Sequence, residues 1–255
     1  MAKIFCIANQ KGGVGKTTTA VNLAAGLANL GNRVLLIDLD PQGNATMGAG
    51  INKGELEISV YQVLLGMGDI ASARKTSETG HFDVLPSNRE LAGAEVEMVE
   101  LEQREQRLKQ ALAVVMNDYD FVLIDCPPAL SLLTLNGLCA AHGVIIPMQC
   151  EYFALEGLAE LVGTIRRVRA ALNPSLDIEG VLLTMFDDRT NLGQQVARDL
   201  RAFFKEKVFE TVIPRNVRLG EAPSHGKPVI LYDVKSKGAE AYLALAREFL
   251  DRRRA

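Results

Sequence analysis

Short hydrophobic runs rich in Val and Ile alternate with longer stretches of helical periodicity along the whole chain. Runs that are apolar at nearly every position are typical of parallel strands buried on both faces of a sheet. We therefore predict a three-layer α/β fold, in which a mostly parallel sheet is covered by helices on both faces. The predicted strands are residues 3–9, 33–40, 82–87, 120–127, 143–150, 178–186 and 208–214.

Helical patterns fill the intervals between these strands. Their predicted starts are Thr17, Ser59, Glu90, Glu156, Asn191 and Ser236. The most highly charged stretch, residues 95–110, predicts an exposed amphipathic helix with its glutamates facing outward. Because we find no repeat, low-complexity segment or linker, we predict a single domain over residues 1–255.

Composition and charge narrow the class of protein. The 255 residues are 48% hydrophobic and 23% charged, which suits a globular protein with a sizeable core. The net charge of −3 gives no overall sign of nucleic-acid binding, although the chain from Asp187 onward carries 14 Lys and Arg against 10 Asp and Glu. No apolar run approaches the roughly 18 residues of a membrane span, and the N-terminus does not resemble a signal peptide. We therefore predict a cytoplasmic protein that does not associate with membranes.

The four cysteines lie in or beside apolar runs and form no CxxC pair. This placement indicates buried thiols in a reducing compartment, and it disfavours a metal site or a disulfide framework.

A glycine-rich segment, QKGGVGKTT (10–18), joins the first predicted strand to the first helix. Glycines in this context let backbone N–H groups point at phosphate oxygens, and the helix N-terminus adds its positive dipole end. Lys16 is expected to reach the β- and γ-phosphates, Thr17 to bind Mg²⁺, and Thr18 to donate to the α-phosphate. A ligand-free glycine turn is the alternative, but it does not account for the GK[ST] signature in register with both flanks. The predicted nucleotide-binding residues of the loop are Gly12, Gly13, Val14, Gly15, Lys16, Thr17 and Thr18; Lys11 joins them through the resemblance described below.

Aspartates follow two of the predicted strands. Asp38 and Asp40 stand at the end of the second strand, and Asp125 stands at the end of the fourth. The carboxyl ends of parallel strands border the ligand crevice of such sheets. Asp125 fits a Walker B acid that holds Mg²⁺ through a water. Either Asp38 or Asp40 could instead cap the following segment, and position alone does not divide their roles.

The phosphate loop departs from the usual pattern G-x-x-x-x-G-K-[ST], because Gln10 occupies the first glycine position and Lys11 precedes two glycines. In this it resembles the deviant Walker A P-loop ATPases, the group of ParA, MinD and the nitrogenase iron protein. The resemblance implies an ATP-sandwiched homodimer in which Lys11 reaches the partner's nucleotide and stabilises the charge on the transferred phosphoryl group. The alternative for Lys11 is a solvated loop lysine.

Three further segments carry the resemblance. DLDPQGN (38–44) and DCPP (125–128) are similar to the family's switch I and switch II, and VIPRN (212–216) resembles its base-binding loop. The resemblance implies that Asp40 orients or activates the attacking water and that Asp38 lies closer to the metal. It also implies that Pro214 and Asn216 face adenine. The implied catalytic residues are thus Lys11, Lys16 and Asp40, and the implied metal site is Thr17, Asp38 and Asp125.

Nearly the whole chain resembles the ParA/Soj proteins, which partition bacterial chromosomes. NQKGGVGKTTTAVNLA (9–24), QCEYFALEGL (149–158), LLTMFDDRTNLG (182–193) and TVIPRNVRLGEAPSHGKP (211–228) are among the similar segments. The resemblance implies an ATP-bound dimer that binds double-stranded DNA without sequence preference, a ParB-type centromere-binding partner that stimulates hydrolysis, and association with the nucleoid.

Arg189 and Arg218 match arginines that the family uses for DNA contact. Basic groups aimed at phosphates suit binding that does not read sequence. The alternative for the other basic residues of this part of the chain is an ordinary solvated surface. Those residues are Arg198, Arg201, Lys205, Arg215, Lys227, Lys235 and Lys237.

Other members of the superfamily fit less well. MinD-type proteins end in an amphipathic membrane helix, whereas residues 248–255 have little apolar face. Two alternatives from other classes stay open. A positioning ATPase for a different cargo would share every catalytic residue. A metabolic ligase similar to dethiobiotin synthetase would need an acceptor pocket, for which we see no His or Lys cluster, and Lys11 argues against it.

Overall fold

The computed structural model describes residues 1–151 and 154–253. Tyr152 and Phe153, in one of the family-like segments, lie outside the described residues. The described strands are β1 (Lys3–Ile7), β2 (Val34–Asp38), β3 (Lys75–Ser77), β4 (Phe82–Leu85), β5 (Phe121–Asp125), β6 (Gly143–Gln149) and β7 (Asp177–Thr184). The described helices are α1 (Lys16–Asn29), α2 (Asn44–Gly48), α3 (Val60–Leu65), α4 (Ile70–Ala73), α5 (Leu91–Glu97), α6 (Arg107–Leu112), α7 (Leu132–Ala140), α8 (Ala154–Ala171), α9 (Asn191–Phe204), α10 (Val217–Glu221), α11 (Val229–Tyr232) and α12 (Lys237–Asp251).

These strands form a seven-stranded sheet in the order β3-β4-β2-β5-β1-β6-β7. Every pairing is parallel except that of β3 with β4 at the edge. Asp125 at the end of β5 stands in register with Ile7 of β1 and with Asp38 of β2. The loops that follow the three central strands therefore emerge at one edge of the sheet, as a ligand crevice requires.

Buried hydrophobic side chains cover both faces of the sheet. One cluster packs β-strand residues against α3 and α5 to α9, and the other packs them against α1, α2 and α12. Phe249 of α12 meets Phe5 and Phe121 edge to face, with ring centroids 5.0 and 5.6 Å away. The predicted three-layer α/β fold with helices on both faces is confirmed.

The turn after α2 lies against the turn of residues 222–226 that follows α10. Gly50 and Gly226 meet there, with left-handed φ angles of 85° and 60°. A Cβ on Gly50 would stand 2.8 Å from the Gly226 carbonyl oxygen, and a Cβ on Gly226 would stand 3.0 Å from the Gly50 Cα. This contact joins the turn after α2, which follows the switch I segment, to the C-terminal third of the chain.

The predicted strand at residues 208–214 is wrong. This segment lies beside β7 but touches it through isolated bridges, Val181 with Val208 and Phe186 with Pro214. Between them, the backbone N–H groups of Glu210 and Thr211 donate to the Glu248 carboxylate, both at 2.8 Å. Because α12 takes these two donors, the middle of the segment does not continue a ladder.

The predicted continuous helix over residues 95–110 is also wrong. Helix α5 ends at Glu97, two short 3₁₀ turns follow, and Gln103 has a left-handed φ of 51°. The fully buried Asn136 side chain of α7 accepts from the Leu108 N–H at 3.1 Å and donates to the Arg104 carbonyl at 2.8 Å. This buried amide sets where α6 begins, and the glutamate pattern does not reveal it.

The predicted helix starts agree with the structure to within two residues. Strand β3 and helix α7 were missed, since β3 has only three residues and α7 is apolar on nearly all sides. Three of the four cysteines are buried, as predicted, whereas Cys150 is half-buried; all four are free thiols. Among the helices of the described ranges, none is both long enough and apolar enough to cross a bilayer.

Candidate nucleotide site

The predicted phosphate loop links β1 to α1 at the crevice edge of the sheet. Gly13 and Gly15 have φ angles of 74° and 88°, in the left-handed region that favours glycine. The helix starts immediately afterwards, so its first free N–H groups face the loop. The Val14 carbonyl accepts a hydrogen bond from Thr184 Oγ1 at 2.8 Å, which anchors the loop to the end of β7.

Lys16 lies inside the loop and has only 7% of its surface exposed. Its ammonium donates to the Lys11 carbonyl at 3.0 Å, so the loop curls around it. Burial lowers the pKa of Lys16, while the nearby carboxylates of Asp125 and Asp40 raise it. A cation in this position is suited to binding phosphate oxygens.

Asp125 is fully buried, and neither of its carboxylate oxygens accepts a hydrogen bond of normal geometry from a described residue, although the Thr17 hydroxyl lies nearby. Burial, followed by the neighbouring Asp38 carboxylate, raises its pKa well above the ordinary value, and the Thr17 hydroxyl and Lys16 ammonium counteract this only partly. A buried carboxylate without partners is unfavourable unless a cation compensates it. Asp125 and Thr17 supply the oxygen ligands that Mg²⁺ prefers.

No group of three or more His, Cys, Asp or Glu suited to a metal occurs within the described ranges. The ion would therefore rely on Thr17, Asp125 and phosphate oxygens. This is how Mg²⁺ is usually held at nucleotide sites. The residues present fit Mg²⁺ bound together with a nucleotide.

Asp38 is also fully buried, but both of its carboxylate oxygens accept hydrogen bonds. One oxygen accepts from the Thr46 N–H at 2.8 Å and the Thr46 hydroxyl at 2.7 Å, and the other accepts from the Asp40 N–H at 3.1 Å. Burial raises the pKa of Asp38 to about 6, and the Thr46 and Asp40 hydrogen bonds oppose the rise. These contacts make Asp38 a cap that fastens switch I to α2. Its role as a metal ligand stays a prediction.

Asp40 lies at the mouth of the cleft and is partly exposed. One of its carboxylate oxygens accepts from the Gln42 N–H at 2.9 Å, and its carbonyl accepts from the Ser87 hydroxyl at 2.8 Å. Ser87 also donates its N–H to Thr46 Oγ1 at 2.9 Å. The sequence interpretation missed Thr46 and Ser87. Their only signal is a small polar residue soon after a buried strand.

A cleft of about 790 Å³ extends from the phosphate loop to the segment of residues 213–221. Pro214 and Asn216 line it, as the resemblance implied, and Tyr242 of α12 lies at its wall with its hydroxyl 3.1 Å from Thr19 Oγ1. Met185, Leu219, Glu221 and Tyr242 also line the cleft, and the sequence interpretation missed them. The predicted site residues that line it are Gly12, Gly13, Gly15, Lys16, Thr17, Thr18, Asp40, Pro214 and Asn216; the predicted residues that do not are Lys11, Val14, Asp38 and Asp125.

The Lys11 side chain extends along its own subunit, away from that cleft. Its ammonium donates to Glu151 Oε2 at 2.5 Å, and its backbone N–H donates to Asn9 Oδ1 at 3.0 Å. The buried Asn9 amide in turn donates to the Pro147 carbonyl at 2.8 Å, which ties this part of the loop to β6. The Lys11 and Glu151 side chains are 43% and 47% exposed, so their ion pair is weak and easily exchanged.

The two arginines predicted to contact DNA lie outside the residues that line the cleft. Arg189 has 85% of its side chain exposed and donates to both oxygens of Asp187, whose pKa it lowers to about 2. Arg218 is half-exposed and lies against two carboxylates, those of Glu221 and Asp233. Both guanidinium groups can reach an external phosphate, but each must give up carboxylate contacts to do so.

A family model described as "AAA domain" matches residues 2–178. Among similar proteins, the "Sporulation initiation inhibitor protein Soj" of Bacillus subtilis is 58% identical over 97% of this chain and 98% of its own length. The "Chromosome partitioning protein ParA" of Myxococcus xanthus is 54% identical over 99% of this chain and 89% of its own length.

Solved structures are similar over the full fold. A Mycobacterium smegmatis protein named cobyrinic acid a,c-diamide synthase, with bound ADP and magnesium, is 40% identical with a TM-score of 0.88. The alignment covers 100% of this chain and 96% of that protein. The cell division ATPase MinD of Pyrococcus furiosus has a TM-score of 0.82 at 24% identity and supports the fold alone.

Proposed function

The chain belongs to the ParA/Soj family of chromosome-partitioning ATPases, and from that premise we propose that its ATP-bound form is a dimer that binds double-stranded DNA without sequence preference. The predicted family, the ATPase activity and the use of ATP and Mg²⁺ are confirmed. We further propose that residues 1–255 form one ATPase domain, that the protein acts in the cytoplasm on the nucleoid, and that a ParB-type centromere-binding protein stimulates hydrolysis.

The placement of the two loop lysines is the observation that carries this proposal. Lys16 is buried inside its own phosphate loop, whereas the Lys11 side chain, among the described residues, makes a half-exposed ion pair with Glu151. Lys11 does not line the cleft of its own subunit. It is free to serve a second protomer once the pair with Glu151 breaks, and this supports the sandwich dimer.

The remaining residues have separate tasks in hydrolysis. When bound, ATP with Mg²⁺ supplies the phosphoryl group and neutralises part of its charge. Lys16 holds the phosphate oxygens, and Asp125 with Thr17 holds the ion. Asp40 projects a carboxylate at the cleft mouth, where it orients the attacking water. Lys11 of the partner stabilises the charge that develops on the phosphoryl group.

Replacing Lys11 with alanine tests the dimer. We expect the variant to bind ATP within about fivefold of the wild type, because the contact of this side chain with the described residues of its own subunit is a half-exposed ion pair. It should nevertheless stay monomeric at saturating ATP, as measured by light scattering after size-exclusion chromatography. Glu151→Gln, which removes the same ion pair but keeps Lys11, should still dimerise. An ATP-dependent dimer of Lys11→Ala would contradict the role of Lys11 in trans.

A gel shift with plain duplex DNA at low salt, in the presence of ATP or of ADP, tests whether DNA is the cargo. We expect binding with ATP only, and a steep loss of affinity as salt rises, because the affinity comes from released counterions. Arg189→Glu should weaken the binding and lower the salt slope by at least about 1.

Arg33→Glu is the matched control for Arg189→Glu. Arg33 is also an exposed arginine paired with an aspartate, Asp120, but it precedes β2 at the opposite edge of the sheet. Its variant should bind DNA like the wild type. Absence of DNA binding in both nucleotide states would contradict the partitioning proposal and favour a positioning ATPase with another cargo.

A further inference from the structure

The guanidinium of Arg218 is shared between two carboxylates. Nη1 donates to Glu221 Oε2 at 2.7 Å, and Nε lies 3.2 Å from Asp233 Oδ2. Glu221 is three residues further along α10, and Asp233 follows α11. For as long as both contacts persist, an external phosphate competes with two negative groups for this arginine.

The two carboxylates differ in their relation to the nucleotide cleft. Glu221 lines the cleft, whereas Asp233 is not among the residues that line it. Glu221 and Asp40 are the acids among the described residues of the lining, and Asp40 belongs to the phosphate end. Glu221 is therefore the acid at the end formed by Pro214 and Asn216, where the base and sugar of a nucleotide would lie.

The local structure makes Arg218 and the cleft wall one unit. Asn216, in the cleft, accepts the Arg218 N–H at 3.0 Å and so begins α10, and Glu221 ends this five-residue helix. Within the described residues, the hydrogen bonds to the Glu221 carboxylate fall on Oε2, from Arg218 and from the Tyr232 hydroxyl at 3.3 Å. Oε1 is left for a donor in the cleft.

We infer that Glu221 is a positioning residue that couples the nucleotide cleft to the DNA-contacting Arg218. A carboxylate is a natural acceptor for ribose hydroxyls. When Glu221 accepts a hydrogen bond in the cleft, it holds Arg218 less strongly, and the guanidinium becomes available to phosphate. When the cleft holds no nucleotide, Glu221 neutralises Arg218. The inference rests on the proposed DNA binding. It states that the Glu221 carboxylate makes the contact of Arg218 with DNA depend on the nucleotide.

The experiment measures the affinity for duplex DNA at fixed low salt, without nucleotide or with a saturating ATP analogue that is not hydrolysed, because ADP and ATP present the same ribose to Glu221. The variants are Glu221→Gln and its matched control Asp233→Asn, each of which removes one negative charge beside Arg218. Nucleotide affinity is measured separately by calorimetry, so that saturation is verified for each variant.

Asp233→Asn is expected to tighten DNA binding about two- to fivefold in both states, which leaves the ratio of affinities with the analogue and without nucleotide unchanged. Glu221→Gln is expected to tighten it chiefly without nucleotide, so that this ratio falls about two- to fivefold. A purely structural or surface-charge role would not move the ratio.

A double-mutant cycle with Arg218→Gln assigns the effect. Without Arg218, Glu221→Gln should leave the ratio unchanged. The inference is overturned if Glu221→Gln leaves the ratio of the wild type intact, or if the ratio falls equally without Arg218. A wild type that shows no nucleotide-dependent DNA binding would instead overturn the proposed function, so the two failures are distinguishable.

Discussion

Replacing Lys16 with alanine is expected to weaken ATP binding about 100-fold or more, as measured by calorimetry with Mg²⁺ present. The ammonium is almost fully buried in the phosphate loop, beside Asp125 and Asp40. In the ATP complex this ammonium would pair with phosphate oxygens inside the loop. Removing one partner of such a buried, hydrogen-bonded charge pair costs about 2–5 kcal/mol, and each 1.4 kcal/mol is a factor of ten in affinity. The change also leaves the Lys11 carbonyl without its donor, so the loop loses part of its own support.

The matched control is Lys109→Ala, which removes an exposed lysine of α6. It should leave ATP binding unchanged. Lys11→Ala should differ from both variants, because it should leave ATP binding nearly unchanged but prevent dimerisation. A Lys16→Ala protein that binds ATP within a few-fold of the wild type would show that the phosphates lie elsewhere.

Replacing Asp125 with asparagine is expected to change stability and activity in opposite directions. In the nucleotide-free protein it removes a buried charge that has no hydrogen-bond partner among the described residues and that repels Asp38. Relief of such a group is worth about 1–3 kcal/mol, so the Tm should rise by about 2 °C or more. The same change removes the carboxylate that we propose as a ligand of Mg²⁺. The Tm gain from adding Mg²⁺ and ATP should therefore shrink, and hydrolysis should fall to background.

Asp38→Asn is the counterpart, since Asp38 is equally buried and is in register with Asp125. Its carboxylate accepts three hydrogen bonds, spread over both oxygens. An amide can accept at only one of its two positions, so this variant should unfold at a lower temperature than the wild type. If both variants shift the Tm in the same direction, the division of these aspartates into a cap and an ion ligand is wrong.

The strands that carry the site could be predicted from the sequence because they are buried on both faces. Such burial demands an uninterrupted apolar run, and the run ends where the polar site residues begin, as at Asp38 and Asp125. The phosphate loop could be predicted equally well, because local backbone geometry requires its glycines. These features depend on neighbours in sequence, which the sequence displays.

The different surroundings of Asp38 and Asp125 could not be predicted from the sequence. It depends on Thr46, which comes from the following helix, and on Ser87, which comes from the end of β4. The errors at residues 208–214 and 95–110 have the same origin. In each case a distant side chain, Glu248 or Asn136, takes backbone groups that a regular element would have used. These hydrogen bonds of Glu248 and Asn136 span 28 or more residues and leave no periodic signal.

The crossing of Gly50 and Gly226 restricts how the sequence can vary over evolution. A Cβ on Gly50 would stand too close to the Gly226 carbonyl oxygen, a Cβ on Gly226 would press on the Gly50 Cα, and both backbones are left-handed, so a substitution at either position would strain the contact. Gly226 lies outside the segment 2–178 that the family model matches, whereas Gly50 lies within it. Chimeras that exchange the N-terminal two-thirds between relatives should therefore lose stability when either half lacks its glycine of this pair, whatever the similarity of their phosphate loops.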